Sequence, residues 1–150
     1  MMPLFNFVNE WNGRYTTEFP YIDQNGKVSY QCVGLMRQWQ TEGLGLPADS
    51  IPAAPTAAQI FRNFPESGNQ YYTKVHNIWS DTNQFPSQGD IVFWGFYPFI
   101  TGVAGHVSIV SYADGWRMVT FDQNWGSPNF CKYVNHDYRG VMGWLHPKTA

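Results

Sequence analysis

Charge is scarce in this sequence, and no block of one sign occurs. Nine of the 150 residues are Lys or Arg and eleven are Asp or Glu, which gives a formal net charge of −2. Without a basic run, the sequence predicts no binding to nucleic acid or to an anionic membrane. The same balance provides no electrostatic attraction to an anionic cell wall.

Long apolar runs and cysteines are scarce as well. No window approaches about 18 uninterrupted apolar residues, so no transmembrane helix is expected. Residues 1–6 lack a basic start, a long apolar stretch and a small-residue cleavage site, so no signal peptide is predicted. A lone bridge between Cys32 and Cys131 would be a thin framework for this length. We therefore interpret one cysteine as chemical and the other as structural.

Aromatic residues, in contrast, are abundant. Seven Trp, nine Tyr and eleven Phe make up 18% of the chain. Hydrophobic residues total 43% against 13% charged, a balance that excludes disorder and supports a dense core at this length. Aromatic side chains that the core does not need can line a groove for a polymeric substrate. No repeat or linker is found, so residues 1–150 are interpreted as a single domain, and we expect a monomer.

Three helices are predicted in the first half of the chain. Apolar residues at i, i+3, i+4 and i+7 predict a helix over residues 4–11, with Gly13 where it would stop. A second helix is predicted over residues 32–40. Thr56 followed by Gln59 forms a capping-box pattern, which predicts the start of a third helix.

Strands are predicted from residue 89 onward. Compact or β-branched apolar runs predict them at residues 90–94, 106–112, 116–121 and 141–145. The dipeptide Asp114-Gly115 predicts a two-residue hairpin turn, and residues 135–138 are interpreted as a turn. Helices followed by antiparallel strands predict an α+β fold.

Cys32 is the first candidate functional residue. It opens the second predicted helix, where unpaired N–H groups and the helix dipole favour an anion and lower the pKa of a thiol. An inert, buried cysteine is the alternative interpretation. A thiolate nucleophile also needs a base and a group that orients the base.

His106 is the candidate base among four histidines. It begins a predicted strand directly after Gly105, and a strand holds an imidazole more firmly than a loop does. His76 and His146 lie next to loop-like residues. His136 falls in the predicted turn and is interpreted as solvated.

Asp122 and Asn124 are the candidate orienting residues. With a turn centred on Asp114-Gly115, positions 122–124 lie opposite His106. The two side chains then point to one face if the strand extends that far. The alternative interpretation is an Asp and an Asn that close a strand.

Several segments resemble the CHAP domains, which are cysteine- and histidine-dependent amidohydrolases and peptidases of the papain-like group. These segments are Tyr30–Val33, Gly89–Trp94, Gly105–Val110 and Phe121–Trp125. Their order and spacing fit the family over nearly the whole chain. Phe7–Gly13 and Val141–Lys148 are similar to the first helix and the closing strand of phage-endolysin CHAP domains.

The resemblance implies a papain-like fold, with N-terminal helices packed on an antiparallel β-sheet. It also implies that Cys32 is the nucleophile, that His106 is its base and that Asn124 orients the imidazole. Asp122 stands where many relatives have Glu, so its side chain is one methylene shorter. Gln31 and the Cys32 backbone N–H would form the oxyanion hole.

The segment before Cys32 contains a candidate metal site at residues 23–26. Some phage CHAP domains bind calcium through an Asp-x-Asp-Gly loop before the nucleophile and an Asp after it. Asp23-Gln24-Asn25-Gly26 has this spacing, but Asn25 and Gly34 replace two of the carboxylates. We therefore interpret residues 23–26 as a turn and expect no cofactor, with calcium near Asp23 and Asn25 as the alternative. A zinc site built from the cysteines and histidines is disfavoured because no pair has ligand spacing.

The function that the resemblance implies is hydrolysis of bacterial peptidoglycan. The enzyme would be an N-acetylmuramoyl-L-alanine amidase or an endopeptidase of the stem peptide or cross-bridge. A small-molecule amidase of the glutathionylspermidine amidase type and a wall-binding module without catalysis are the alternatives. The aromatic insert at residues 95–100 would narrow the groove for either substrate. Without a signal peptide, we expect a protein made in the cytoplasm and released by a holin-type or other export, or carried on a virion.

Overall fold

The computed structural model describes residues 1–97, 101–102 and 104–148. Over these residues the helices are α1 (Leu4–Trp11), α2 (Cys32–Gln38) and α3 (Ala57–Asn63). The strands are β1 (Tyr21–Ile22), β2 (Val28–Ser29), β3 (Tyr72–His76), β4 (Ile91–Trp94), β5 (His106–Ala113), β6 (Met118–Asp122), β7 (Lys132–His136) and β8 (Val141–Pro147). None of the described helices is long and apolar enough to cross a membrane.

The three predicted helices are confirmed. α1 buries the apolar stripe that predicted it, which includes Leu4, Phe7 and Val8. α2 begins at Cys32 and continues as a π-helical turn over Trp39–Gly43. The Thr56 hydroxyl caps α3 by accepting a hydrogen bond from the Gln59 backbone N–H at 3.1 Å.

A six-stranded antiparallel sheet in the order β3-β8-β4-β5-β6-β7 confirms the α+β fold. β1 and β2 form a separate two-stranded hairpin. The strands predicted from sequence correspond to β4, β5, β6 and β8. The two edge strands, β3 and β7, were not predicted. Because β7 extends to His136, the interpretation of residues 135–138 as a turn is wrong at its start.

The two faces of the sheet have different surroundings. Val107 and Ile109 of β5 join the core that the helices share. His106 and Ser108 alternate to the other face, where His106 is paired with Trp94 of β4. Trp94 belongs to a second buried cluster. His106 is the first residue of β5. This end of the strand lies next to Cys32, the first residue of α2.

The β5–β6 hairpin differs from the prediction. Ala113 pairs with Met118, so the loop contains four residues, 114–117, instead of two. The Asp114 carboxylate closes this loop by accepting hydrogen bonds from the backbone N–H groups of Trp116 and Arg117 at 2.8 and 3.0 Å. The Asp side chain therefore stabilises a longer turn than the Asp-Gly pattern predicted.

Candidate active site

Cys32 is the first residue of α2, as predicted. The preceding residue, Gln31, has an extended backbone with φ −110° and ψ 176°. The helix thus begins abruptly, and its first N–H groups lack intrahelical partners. The thiol is half-buried and lines a cavity of about 800 Å³. Cys131 is a separate, buried free thiol, so the two cysteines do not form a disulfide.

His106 is buried at the start of β5. Its imidazole interacts with the Cys32 thiol, which lines the same cavity, and its Nε2 lies 2.7 Å from Oδ2 of Asp122. Because an ionised carboxylate only accepts hydrogen bonds, Nε2 carries a proton and Nδ1 is left for the sulfur. The three side chains therefore form a chain in the order thiol, imidazole, carboxylate.

Four donors surround the Asp122 carboxylate, which has no exposed surface. Besides His106, the Ser108 hydroxyl donates to Oδ2 at 2.6 Å, and Nε2 of His136 lies 3.2 Å from the same oxygen. The Thr120 hydroxyl donates to Oδ1. Strand alternation explains this, because residues 106 and 108 of β5 share a face with residues 120 and 122 of β6.

Asn124 does not take the place predicted for it. β6 ends at Asp122, and Asn124 has a φ of 63°, so the alternation that would place both side chains on one face stops between them. Asn124 is exposed and lines the cavity. Within the described part of the chain, the carboxylate of Asp122 is the group that holds the imidazole of His106. The prediction that Asn124 makes this hydrogen bond is wrong.

The pKa values of Cys32, His106 and Asp122 are all shifted in the direction that favours the charged form of each group. Burial alone would raise the pKa of the Cys32 thiol, but the charge of His106 and its hydrogen bond lower it below the ordinary value. Burial alone would lower the pKa of His106, yet the Cys32 charge and the hydrogen bond to Asp122 raise it to about 9. Burial opposes ionisation of Asp122, but hydrogen bonds from His106 and His136 hold its pKa well below the usual range. Together these shifts favour a thiolate–imidazolium pair next to an ionised carboxylate.

Gln31, predicted to complete an oxyanion hole, lines the cavity beside Cys32. Its side-chain Nε2 donates to the Ser29 hydroxyl at 3.2 Å. An amide nitrogen carries two N–H groups, so this bond leaves one for a substrate oxygen.

Gln123 is a buried residue of the site that the sequence analysis missed. Its Oε1 accepts from the Thr16 backbone N–H at 2.8 Å, and its Nε2 donates to the Gln31 carbonyl at 2.8 Å. Gln123 thus ties the residue before Cys32 to the end of β6. Its place between Asp122 and Asn124 was the only signal in the sequence, since its residue type alone indicates no such role.

His136 is the second residue that was missed. It was interpreted as solvated, but its side chain is only 6% exposed. Its ring centroid lies 4.6 Å from that of Trp94 and 4.8 Å from that of Trp125. The sequence of β7, Lys-Tyr-Val-Asn-His, does not alternate apolar and polar residues, so it carried no signal for this strand.

The segment from Asp23 to Gly26 forms the turn of the β1–β2 hairpin. Oδ1 of Asp23 accepts from the backbone N–H groups of Asn25 and Lys27 at 2.8 and 2.9 Å. One carboxylate oxygen therefore already holds the turn. Over residues 1–97, 101–102 and 104–148, no group of three or more His, Cys, Asp or Glu side chains could hold a metal ion.

The cavity beside Cys32 lies between the β1–β2 hairpin, α2, the loop before α3 and the loop after β6. Apolar residues such as Ile22, Val33 and Ile60 form part of its wall, together with Glu18 and Arg37. The aromatic insert predicted to narrow this groove includes residues 98–100, which lie outside the described residues. An open cavity of mixed polarity can hold a segment of a polymer next to the thiol.

A family profile described as the CHAP domain matches residues 22–124, more than half of the chain. The chain belongs to the CHAP domain family. The matched segment of this CHAP domain contains Cys32, His106 and Asp122, and it ends before His136.

Solved structures share the fold of this CHAP domain. The wild type endolysin LysIME-EF1 has a TM-score of 0.71 and 18% identity, covering 98% of this chain and 65% of its own. Ly7917 has a TM-score of 0.53 and 20% identity, covering 78% of this chain and 53% of its own. Ly7917 with the hydrolyzing product of MDP gives 0.51 and 21% over the same shares. The CHAP domain thus spans between half and two thirds of these chains, and a comparison with curated proteins finds no match.

Proposed function

We propose that this CHAP domain hydrolyses an amide bond of bacterial peptidoglycan with Cys32 as the nucleophile. The observation that carries the proposal is the buried chain from the Cys32 thiol through His106 to Asp122. Asp122 fixes the proton on Nε2 of His106, so that Nδ1 exchanges a proton with the sulfur and then with the substrate. A wall-binding module without catalysis would have no use for this arrangement.

The first half of the reaction forms a thioester. The Cys32 thiolate attacks the amide carbonyl carbon, and the C=O electron pair moves onto oxygen. The Cys32 backbone N–H and the Gln31 side chain stabilise this oxyanion. The oxyanion then collapses, the C–N bond breaks, and the Nδ1 proton of His106 moves to the leaving nitrogen.

The second half of the reaction releases the acid. Neutral His106 takes a proton from water at Nδ1 while the water oxygen attacks the thioester carbon. The C–S bond breaks, the carboxylic acid leaves, and the thiolate and imidazolium are restored. Asp122 remains ionised throughout and stabilises the imidazolium in each half.

Peptidoglycan is the substrate class that the family and the neighbours favour. One structural neighbour is described as an endolysin, and another was solved with the hydrolyzing product of MDP, a muramyl dipeptide. The 800 Å³ cavity beside Cys32 is large enough for a peptide segment on either side of the thiol. The bond is the N-acetylmuramoyl–L-alanine amide or a peptide bond of the stem or cross-bridge.

Mass spectrometry of fragments released from purified peptidoglycan tests the proposal. New amino termini on the first alanine of the stem would identify an amidase, and new termini within the stem or bridge an endopeptidase. Cys32→Ala and Cys32→Ser should abolish release while the melting temperature is unchanged, since neither side chain supplies a thiolate.

A matched pair of histidine variants controls for loss of an imidazole in general. His106→Ala should be inactive, whereas His76→Ala, at an exposed position on β3, should retain activity. Near-wild-type release by folded Cys32→Ala protein would refute the cysteine mechanism.

A further inference from the structure

We propose that His136 is a positioning residue that holds the Asp122 carboxylate in the orientation in which it supports His106. The inference rests on the proposed function. His136 belongs to β7, and this strand lies beyond the segment matched by the CHAP family profile. His136 does not line the cavity beside Cys32, so it would act through Asp122 rather than on the substrate.

The geometry of one oxygen atom is the basis of the proposal. Oδ2 of Asp122 accepts from Nε2 of His106 at 2.7 Å and lies 3.2 Å from Nε2 of His136. A carboxylate oxygen cannot donate, so His136 must carry its proton on Nε2 to make this contact. The two imidazoles therefore meet at the same acceptor, and a change at His136 alters the oxygen that His106 uses.

The surroundings of His136 fix its ring. Trp94 and Trp125 pack against it at centroid distances of 4.6 and 4.8 Å. The same two rings lie 5.3 and 4.7 Å from His106. Because these aromatic side chains pack on both imidazoles, water has little access to Asp122, and the hydrogen bonds of its carboxylate are strong.

The charged and titratable groups near Asp122 lie on two strands and one helix. His106 lies on β5 with the Cys32 thiolate behind it, and His136 lies on β7. Lys132, which pairs with Asp122 across β6 and β7, directs its ammonium to the Pro128 carbonyl instead. Removing His136 therefore takes away one of the two basic side chains that contact Asp122 and favour its ionised form.

Two substitutions separate the hydrogen bond from the packing. His136→Phe keeps an aromatic ring between Trp94 and Trp125 but removes the donor. His136→Gln removes the ring but places an amide N–H near the position of Nε2. We expect kcat on a soluble peptidoglycan fragment to fall about tenfold in His136→Phe and to stay within about threefold in His136→Gln, with KM unchanged in both.

The pH profile adds a readout that a purely structural role would not move. The acid limb of kcat/KM follows ionisation of the Cys32 thiol, which the charge of His106 favours. When Asp122 loses a donor, it holds the charged imidazole of His106 less firmly, and the thiol ionises less readily. The acid limb of kcat/KM should therefore shift to higher pH in His136→Phe and stay in place in His136→Gln. Unchanged kcat and acid limb in His136→Phe, with Cys32→Ala inactive, would overturn the inference and leave the proposed function standing. An active Cys32→Ala would overturn the proposed function itself.

Nitrogen-15 NMR of the wild-type protein provides a test that needs no variant. At neutral pH, the histidine signals should show a proton on Nε2 of His136. A neutral His136 with its proton on Nδ1 would leave no hydrogen to share with Asp122, and that result would also overturn the inference, even if His136→Phe failed to fold.

Discussion

At the level of single residues, the Asp122 carboxylate links the charges of the site. It is shorter than the Glu that many CHAP domains carry, yet it reaches His106 because Ser108 and His106 share its face of the sheet. Asn124, two residues later, lies beyond the end of β6 with its backbone in the left-handed region. The sequence identified both residues as candidates, but their order of importance depended on where the strand ended.

Asp122→Asn should impair the enzyme far more than Asn124→Ala. The amide removes the negative charge that stabilises the imidazolium, so we expect kcat to fall about a hundredfold or more, with KM little changed. Asn124→Ala removes an exposed side chain at the rim of the cavity and should mainly affect KM. Steady-state kinetics on one soluble substrate compares the two variants. A larger fall in kcat for Asn124→Ala would restore the assignment made from the sequence.

The two thiols should differ sharply in reactivity. The pKa of Cys32 is lowered by His106 in spite of burial, whereas burial raises the pKa of Cys131 to about 12. Iodoacetamide should therefore label Cys32 well before Cys131, and at a pH below the value of about 8.5 that is typical of a free thiol. Mass spectrometry of peptides from protein labelled at a series of pH values measures both rates. Protein unfolded in urea is the control, because both cysteines should then react alike.

At the level of elements, the helices and central strands were predictable because their patterns are local. The i, i+3, i+4 stripe of α1 and the apolar run of β4 each point to one structure. The edge strands were missed for a physical reason. β3 carries Lys74, a charged residue that is buried because its ammonium donates to the Phe64 carbonyl and pairs with Glu66. β7 lies at the sheet edge, and its residues do not alternate apolar and polar. Only tertiary contacts bury the side chain of its last residue, His136.

Gly105 directly precedes β5 and so helps to position His106, the first residue of that strand. It precedes β5 with a φ of 72°, and a Cβ added there would lie 2.2 Å from the Trp94 carbonyl oxygen. Gly105→Ala should therefore displace the start of β5, lower the free energy of unfolding by about 2–4 kcal/mol and reduce kcat. Urea unfolding and steady-state kinetics measure the two effects.

Gly13→Ala is the matched control for Gly105→Ala. Gly13 has a φ of 80°, and an added Cβ would meet nothing within 4 Å. We expect it to cost about 1 kcal/mol from backbone strain alone and to leave kcat unchanged. Equal losses in the two variants would show that the contact with Trp94 does not set the position of His106.

At the level of the whole molecule, the site lies where the helical layer meets the end of the sheet. α2 provides the thiol, β5 the imidazole and β6 the carboxylate, while Gln123 links the residue before α2 to the end of β6. The thiol, the imidazole and the carboxylate come from positions 32, 106 and 122, which are far apart in the sequence. The residue types and their order could be recognised from the family resemblance, but the buried contacts of Gln123 and His136 follow from packing between distant segments and were visible only in the fold.

The β1–β2 hairpin is the part of the folded domain where dependence on a metal can be tested. A calcium site at the β1–β2 hairpin would need several oxygen ligands, and affinity rises with the number of carboxylates. Asp23 is the acidic residue of this turn, and its Oδ1 already accepts two backbone N–H groups. We therefore expect millimolar calcium to change the melting temperature little and EDTA to leave peptidoglycan hydrolysis unchanged.

Differential scanning fluorimetry and the fragment-release assay measure these effects, with Asp23→Asn as the control variant. A rise of several degrees with calcium that Asp23→Asn abolishes would show that backbone carbonyls of the turn complete a calcium site.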